Sequence, residues 1–201
     1  MLDDLQIDAL TEVFNVGAGR AAASLSEIVG EEVKLTVPGI EIRSRSNFNP
    51  ASLELGHTNF GSVTQRFTGP FNADAILLFT EESAMEIVRD MMGSQLSLEE
   101  LAEFEQEAMC ELGNIILNAC LSAMSDMLSI KMNSSLPSYS TGNPEEIINR
   151  ELITADQLYV LILHINLRIE RRQVAGYLIF LLSTSSLNKL KQHIDTFLKL
   201  I

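Results

Sequence analysis

The chain is poor in the residues that carry most metal and covalent chemistry. Its 201 residues include two cysteines, three histidines and no tryptophan. Cys110 and Cys120 fall in one long predicted helix, about 15 Å apart along its axis, which excludes a disulfide within it. No Cys-x-x-Cys pair or Cys/His cluster points to zinc. Buried free thiols are the better reading, and they fit a cytoplasmic protein. His57, His164 and His193 are scattered, none with a cysteine or carboxylate at ligand spacing. Neither G-x-S-x-G nor H-E-x-x-H occurs.

Positive charge is scarce as well. Fourteen Lys and Arg stand against 27 Asp and Glu, a formal net charge of −13. With no basic block anywhere, nucleic-acid binding is excluded and docking on an anionic membrane is disfavoured. Apolar runs fall short of a membrane span. The acidic start MLDDLQID is not followed by an apolar h-region, so neither a signal peptide nor membrane insertion is expected. No Gly/Ser- or Pro-rich linker marks a domain boundary near residue 95.

What the chain does have is a repeated pattern. Asp8-Ala-Leu-Thr-Glu12-Val-Phe-Asn15 is matched 99 residues later by Glu107-Ala-Met-Cys-Glu111-Leu-Gly-Asn114. A carboxylate is followed after four residues by glutamate and after three more by asparagine. Each asparagine precedes a proline, Pro38 or Pro137, across 22 intervening residues. At 100° per residue these positions line one helix face. In the first copy Leu10, Val13, Phe14, Gly17, Ala21, Leu25 and Ile28 form the opposite, apolar stripe. The second helix is apolar almost all round, with one polar seam through Glu103, Glu107, Glu111, Asn114, Asn118, Ser122 and Ser125. One such face alone is ordinary solvated surface. Its repetition with the distant proline argues for function.

The remaining pattern predicts helix, three strands and helix, twice. Helices are expected over about 5–29, 80–92, 98–127 and 183–198, with stop or cap signals at Gly30, Gly93, Ser97 and Ser183. Strands are expected over 32–37, 62–67 and 73–79, then 130–136, 159–169 and 174–182. Residues 44–59 and 138–156 read as polar loops. Three strands make a poor sheet alone. The expected fold is therefore one α/β (α+β) domain, 1–201, built from repeats of about 1–95 and 96–201. A six-stranded, largely antiparallel sheet would be covered by the long helices. Gly17-Ala-Gly19 with Ala22 imitates a dinucleotide loop but lies inside a helix, not between strand and helix. Small residues there suit close approach of another surface.

If the chain is an enzyme, its chemistry lies in carboxylate plus amide. An amide can orient a water and a glutamate can pair with a partner's lysine, and phosphoryl transfer needs little beyond positioning and charge neutralisation. D-x3-E-x2-N-x22-P, present twice, resembles the CheC family of chemotaxis phosphatases, as does Asn15-Val-Gly-Ala-Gly-Arg-Ala-Ala. The second copy departs from the family in opening on Glu107 rather than Asp or Ser. CheX proteins carry one such motif, whereas FliY adds further domains. The resemblance implies a hydrolase acting on the aspartyl phosphate of a CheY-type response regulator. Glu12 and Asn15, then Glu111 and Asn114, would be its catalytic pairs. Each Asn would orient the attacking water and each Glu would engage a regulator lysine. It also implies no cofactor of its own, with Mg²⁺ on the regulator. CheD is a second implied partner, and a monomer is expected. A non-catalytic scaffold for CheD or the regulator is the competing reading.

Overall fold

A computed structural model describes residues 1–49, 53, 59–92, 97–151, 157–169 and 172–200. Two long helices lie against one sheet. Helix α1 (Asp4–Val29) opens on a capping box, in which the Asp3 carboxylate accepts from Gln6 N and the Gln6 side chain accepts from Asp3 N. It closes on Gly30, whose φ of 77° is the left-handed value that glycine adopts at low cost. Helix α3 (Leu98–Met127) opens on a second capping box, Ser97 with Glu100. The chain between holds β1 (Val33–Ser44), β2 (Phe60–Thr68), β3 (Ala73–Thr80) and α2 (Glu81–Met92). After α3 come β4 (Asn133–Ser134), β5 (Ser138–Gly142), α4 (Pro144–Glu151), β6 (Gln157–Ile169), β7 (Arg172–Ser183) and α5 (Thr184–Leu198).

The sheet has seven strands in the order β1-β6-β7-β3-β2-β4, with β5 also on β2. Every strand pair among the described residues is antiparallel. Alternation sorts the side chains. Ala75, Leu77 and Phe79 of β3, and Leu161, Leu163 and Ile165 of β6, face the core under α1 and α3. Ile76 and Leu78 of β3, and Ile162 of β6, face a smaller cluster covered by Phe48, Leu53 and the Ile147-Ile148 pair of α4. Burying each such aliphatic side chain contributes about 1.5–3 kcal/mol.

Several expectations are corrected. The sheet has a seventh strand, β5, and a helix, α4, inside the stretch read as polar loop. Tyr139 explains the strand: its hydroxyl donates to Glu105 of α3, anchoring an otherwise polar segment. The first strand does not end at Pro38. It continues to Ser44 across a bulge, in which Thr36 faces Asn166 and Gly39 faces His164. Proline is tolerated there because β1 is an edge strand and the bulge asks no ladder bond of its nitrogen. The bulge also changes parity, so Val33, Leu35 and Val37 and then Ile40 all stay on the core face. Conversely, the strand expected over 130–136 shrinks to Asn133–Ser134. His57, the Gly93 stop and part of the 44–59 loop lie outside the described residues.

Gly17 explains how α1 and α3 meet. A Cβ there would sit 2.7 Å from Cys120 Cα, so only glycine allows the helices this close. Gly113 does the same between α3 and the sheet, where a Cβ would meet Val63 of β2 at 2.3 Å. Arg20 ties the crossing on its outer side, 2.6 Å from Asp126 and 3.1 Å from Ser122 Oγ. This exposed bridge contributes at most about 1 kcal/mol. By length and composition the helix over Glu99–Met127 could cross a membrane, but 56% of its most apolar window is buried within the protein. It is equally the core helix of this fold.

Candidate functional site

The two Glu/Asn pairs lie on α1 and α3, and the structure treats their asparagines differently. Glu12 and Glu111 are alike: both are exposed, with no ion-pair partner among the described residues. Asn15 is half-buried and its amide is turned onto the neighbouring strand. Its Oδ1 accepts from Val37 N at 2.9 Å, and its Nδ2 donates to Val37 O at 3.1 Å and to Thr11 O at 3.1 Å. Val37 is the bulge residue without a β6 partner. The side chain thus stands in for a neighbouring strand, supplying the donor and acceptor that the bulge removed. The expectation that both asparagines face outward is corrected for Asn15. The bulge leaves a backbone N–H and C=O to satisfy, and Asn15 satisfies both.

Asn114, by contrast, has two partners at its carbonyl and none at its nitrogen among the described residues. Oδ1 accepts from Asn118 Nδ2 at 2.6 Å and from Gln65 Nε2 at 3.4 Å, the latter at the long end of the range. Leu136, which precedes Pro137 as Val37 precedes Pro38, is 88% exposed and makes no such bond to Asn114 among the described residues. Each flanking amide is itself oriented. Gln65 Nε2 donates to Ser135 O at 3.0 Å, and Ser134 Oγ donates to Asn118 Oδ1 at 2.7 Å. A carbonyl can only accept, so Gln65 must present nitrogen to it. Gln65 is 1% exposed, and its Oε1 is buried without a partner. Such an acceptor costs about 1–3 kcal/mol.

Glu107, Cys110, Glu111 and Asn114 line a groove of about 740 Å³. Its apolar wall is Ile28, Met91, Met92, Phe104, Leu136 and Pro137. Four of these, Ile28, Met92, Phe104 and Leu136, are exposed large hydrophobics. The seam of α3 therefore borders an apolar depression. Burial pushes the Cys110 thiol up, and burial pushes Tyr139 up further, helped by the Glu105 carboxylate that its hydroxyl meets. Neither is arranged as a nucleophile. The seam residue Ser122 meets Arg20, while Asn118 supports Asn114.

No group of three His, Cys, Asp or Glu that could hold an ion occurs among the described residues. His164 has a carboxylate neighbour that spacing did not reveal, Glu41 Oε1 at 3.5 Å, and its ring lies 5.0 Å from that of Tyr177. That pair sits on β1 and β6, away from both motifs. Gln65 is the residue that sequence reasoning missed. It lies on a predicted strand with nothing to link it to Asn114, and only the pairing of β2 under α3 brings them together.

A family model described as chemotaxis phosphatase CheX matches residues 62–161. The chain is 24% identical over 160 residues to the CheY-P phosphatase CheC of Bacillus subtilis, covering 76% of this chain and 74% of that one. It is similar to the CheC, CheX and FliY proteins. The flagellar motor switch phosphatase FliY of the same organism is 26% identical over 165 residues, covering 79% of this chain but 42% of FliY. Among solved structures, FliY from Thermotoga maritima superposes with a TM-score of 0.79 at 21% identity, covering 98% of this chain and 99% of that one. This likeness confirms the mixed α/β fold with its antiparallel sheet. The window matched by the CheX model contains Gln65, Glu111, Asn114 and Asn118 and leaves out Glu12 and Asn15.

Proposed function

We propose that the chain hydrolyses the aspartyl phosphate of a CheY-type response regulator, with Glu111 and Asn114 forming its leading site. The observation that carries this reading is the Asn114 amide: its carbonyl is held and its nitrogen has no partner among the described residues, on the rim of an open groove beside an exposed glutamate. Such a group can reach into a partner's active site and donate to a water or a phosphoryl oxygen there. Glu111, an exposed carboxylate on the same seam, can meet a regulator lysine. The apolar wall of the groove supplies contact area around these two polar groups. The kinship with proteins named as CheY-P phosphatases supports the same substrate class.

Glu12 and Asn15 form the second candidate pair. Asn15 can act on a regulator only by releasing Val37, so this site works at a conformational cost that Asn114 does not bear. Magnesium belongs to the regulator in this scheme, and the present chain contributes positioning alone.

The test is the decay of a phosphorylated CheY-type regulator with purified protein. One positioned donor is worth about 2.7–4 kcal/mol of barrier by comparison with an oxyanion-hole amide. Asn114→Ala should therefore lower turnover at its site by about 10²-fold or more. A folded Asn114→Ala/Asn15→Ala double variant working at full rate would mean that the asparagines are a solvated face. Regulator binding without accelerated decay in the unmodified protein would make the chain a scaffold.

A further inference from the structure

We infer that Gln65 and Asn118 are positioning residues that make Asn114 a donor-only amide; the catalytic consequence rests on the phosphatase reading above, but the orientation does not. An amide oxygen has two lone pairs. Both are occupied at Asn114, by Gln65 Nε2 from the sheet and Asn118 Nδ2 from the next turn of α3. With Oδ1 filled, the side chain cannot accept a hydrogen bond from a water. It can only donate through Nδ2.

Both clamps are locked behind Asn114. The Ser135 carbonyl, an obligate acceptor, turns the Gln65 nitrogen forward, while the Ser134 hydroxyl gives its proton to Asn118 Oδ1. Ser134 and Ser135 are consecutive, so one short segment around β4 sets both amides. The remaining oxygen of Gln65 is left buried and unpartnered. A side chain kept only for packing would avoid that. A side chain kept to aim Asn114 must accept it, because its nitrogen is fully committed and its oxygen faces the core. Gly113 completes the device: without a Cβ, α3 settles on Val63 closely enough for Asn114 to reach the sheet.

A donor-only amide assigns the hydrolytic water a definite part. The water accepts from Asn114 Nδ2 on one lone pair and attacks phosphorus with the other. Its protons remain free for the regulator's own groups, and the phosphorus–aspartate oxygen bond breaks as the new phosphorus–oxygen bond forms. Nothing on Asn114 receives a proton.

The orientation is read first in the unmodified protein by NMR. The Gln65 and Asn118 side-chain amide protons converge on one oxygen, so NOEs between them are expected; their absence overturns the inference. Gln65→Met keeps length and removes the donor, and Asn118→Ala does so at a half-buried position where the helix tolerates alanine. Each should shift the Asn114 side-chain amide resonances. Each should also lower kcat for regulator dephosphorylation by about tenfold with KM unchanged, because Asn114 is then free to rotate. In an Asn114→Ala background neither substitution should lower kcat further. A loss of equal size in both backgrounds would show a merely structural role and overturn the inference, as would unchanged Asn114 resonances. If Gln65→Met does not fold, Asn118→Ala and the NOEs decide. If the unmodified protein accelerates no regulator decay, the phosphatase reading fails while the NMR still decides the orientation.

Discussion

Replacing Asn15 by alanine should cost stability rather than only activity. Its side chain is the partner of both the N–H and the C=O of Val37, a residue 3% exposed and without a strand partner in the bulge. Removing it leaves one buried donor and one buried acceptor. At about 1–3 kcal/mol each, and taking about 1–1.5 kcal/mol because an edge strand admits some water, the loss is about 2–3 kcal/mol. Alanine's better helix propensity returns about 0.5 kcal/mol. The net destabilisation is about 2 kcal/mol, or a fall of about 4–8 °C in Tm for a chain of this size. Asn114→Ala is the matched control. Gln65 keeps its bond to Ser135 and Asn118 can turn to water, so that change should cost less than about 1 kcal/mol. Urea unfolding of both variants, with m unchanged, gives the comparison. If Asn15→Ala is as stable as the parent, or loses no more than Asn114→Ala, the side chain does not hold Val37 and the distinction drawn between the two motifs collapses.

Residues 1–95 alone should remain unfolded, since the cut removes β6 from β1 and β7 from β3; a cooperative unfolding transition in that fragment would show two separable domains. The isolated protein should bind no stoichiometric Mg²⁺ in calorimetry, while EDTA should stop regulator dephosphorylation by stripping the regulator's ion; tight metal binding by this chain alone would contradict the division of labour. Burial pushes the Cys120 thiol up to about 12. The unfolded chain therefore loses this proton first, and Cys120's contribution to stability, complete below about pH 8.5, should decline between about pH 8.5 and 12 by as much as about 1.4 kcal/mol per unit. The same decline in Cys120→Ala would assign it to other groups.

Helices α1, α2, α3 and α5 were legible because their signals are local. Leu10, Val13, Phe14 and Leu25 recur at helical spacing and are all buried, and Ser97 with Glu100 marks the start of α3 through a box that needs only four residues. The hairpin of β6 and β7 was legible for a similar reason, as two apolar runs flank a charged turn. What was not legible depends on pairing. Nothing in Ser138-Tyr-Ser-Thr-Gly142 looks like a strand until β2 offers its edge and Glu105 meets Tyr139. The extension of β1 past Pro38 was hidden because proline normally ends a strand, and only an edge bulge excuses it. Of the candidate site, the identities of Glu12, Asn15, Glu111 and Asn114 were visible in the spacing. The orientation of their amides was not, since it is decided by Val37 in one case and Gln65 in the other, 22 and 49 residues away.

That dependence explains how one motif can have two environments. Both asparagines have a proline 22 intervening residues downstream, and in the first copy the residue before it is the one the amide reaches. After Asn15 that residue is Val37, core-facing and left without a strand partner by the bulge, so the amide is drawn onto its backbone. After Asn114 it is Leu136, beyond the two-residue strand β4, 88% exposed and with its carbonyl accepting from Ser135 Oγ rather than from Asn114. Asn114 is met instead by Gln65, which donates to the amide's oxygen and leaves its nitrogen without a partner among the described residues. A longer, better-paired first strand thus consumes the polar atoms of its motif, and a shorter, frayed one leaves a donor at the surface. The length of the strand after each helix, more than the motif itself, separates a clamp from a candidate catalytic group.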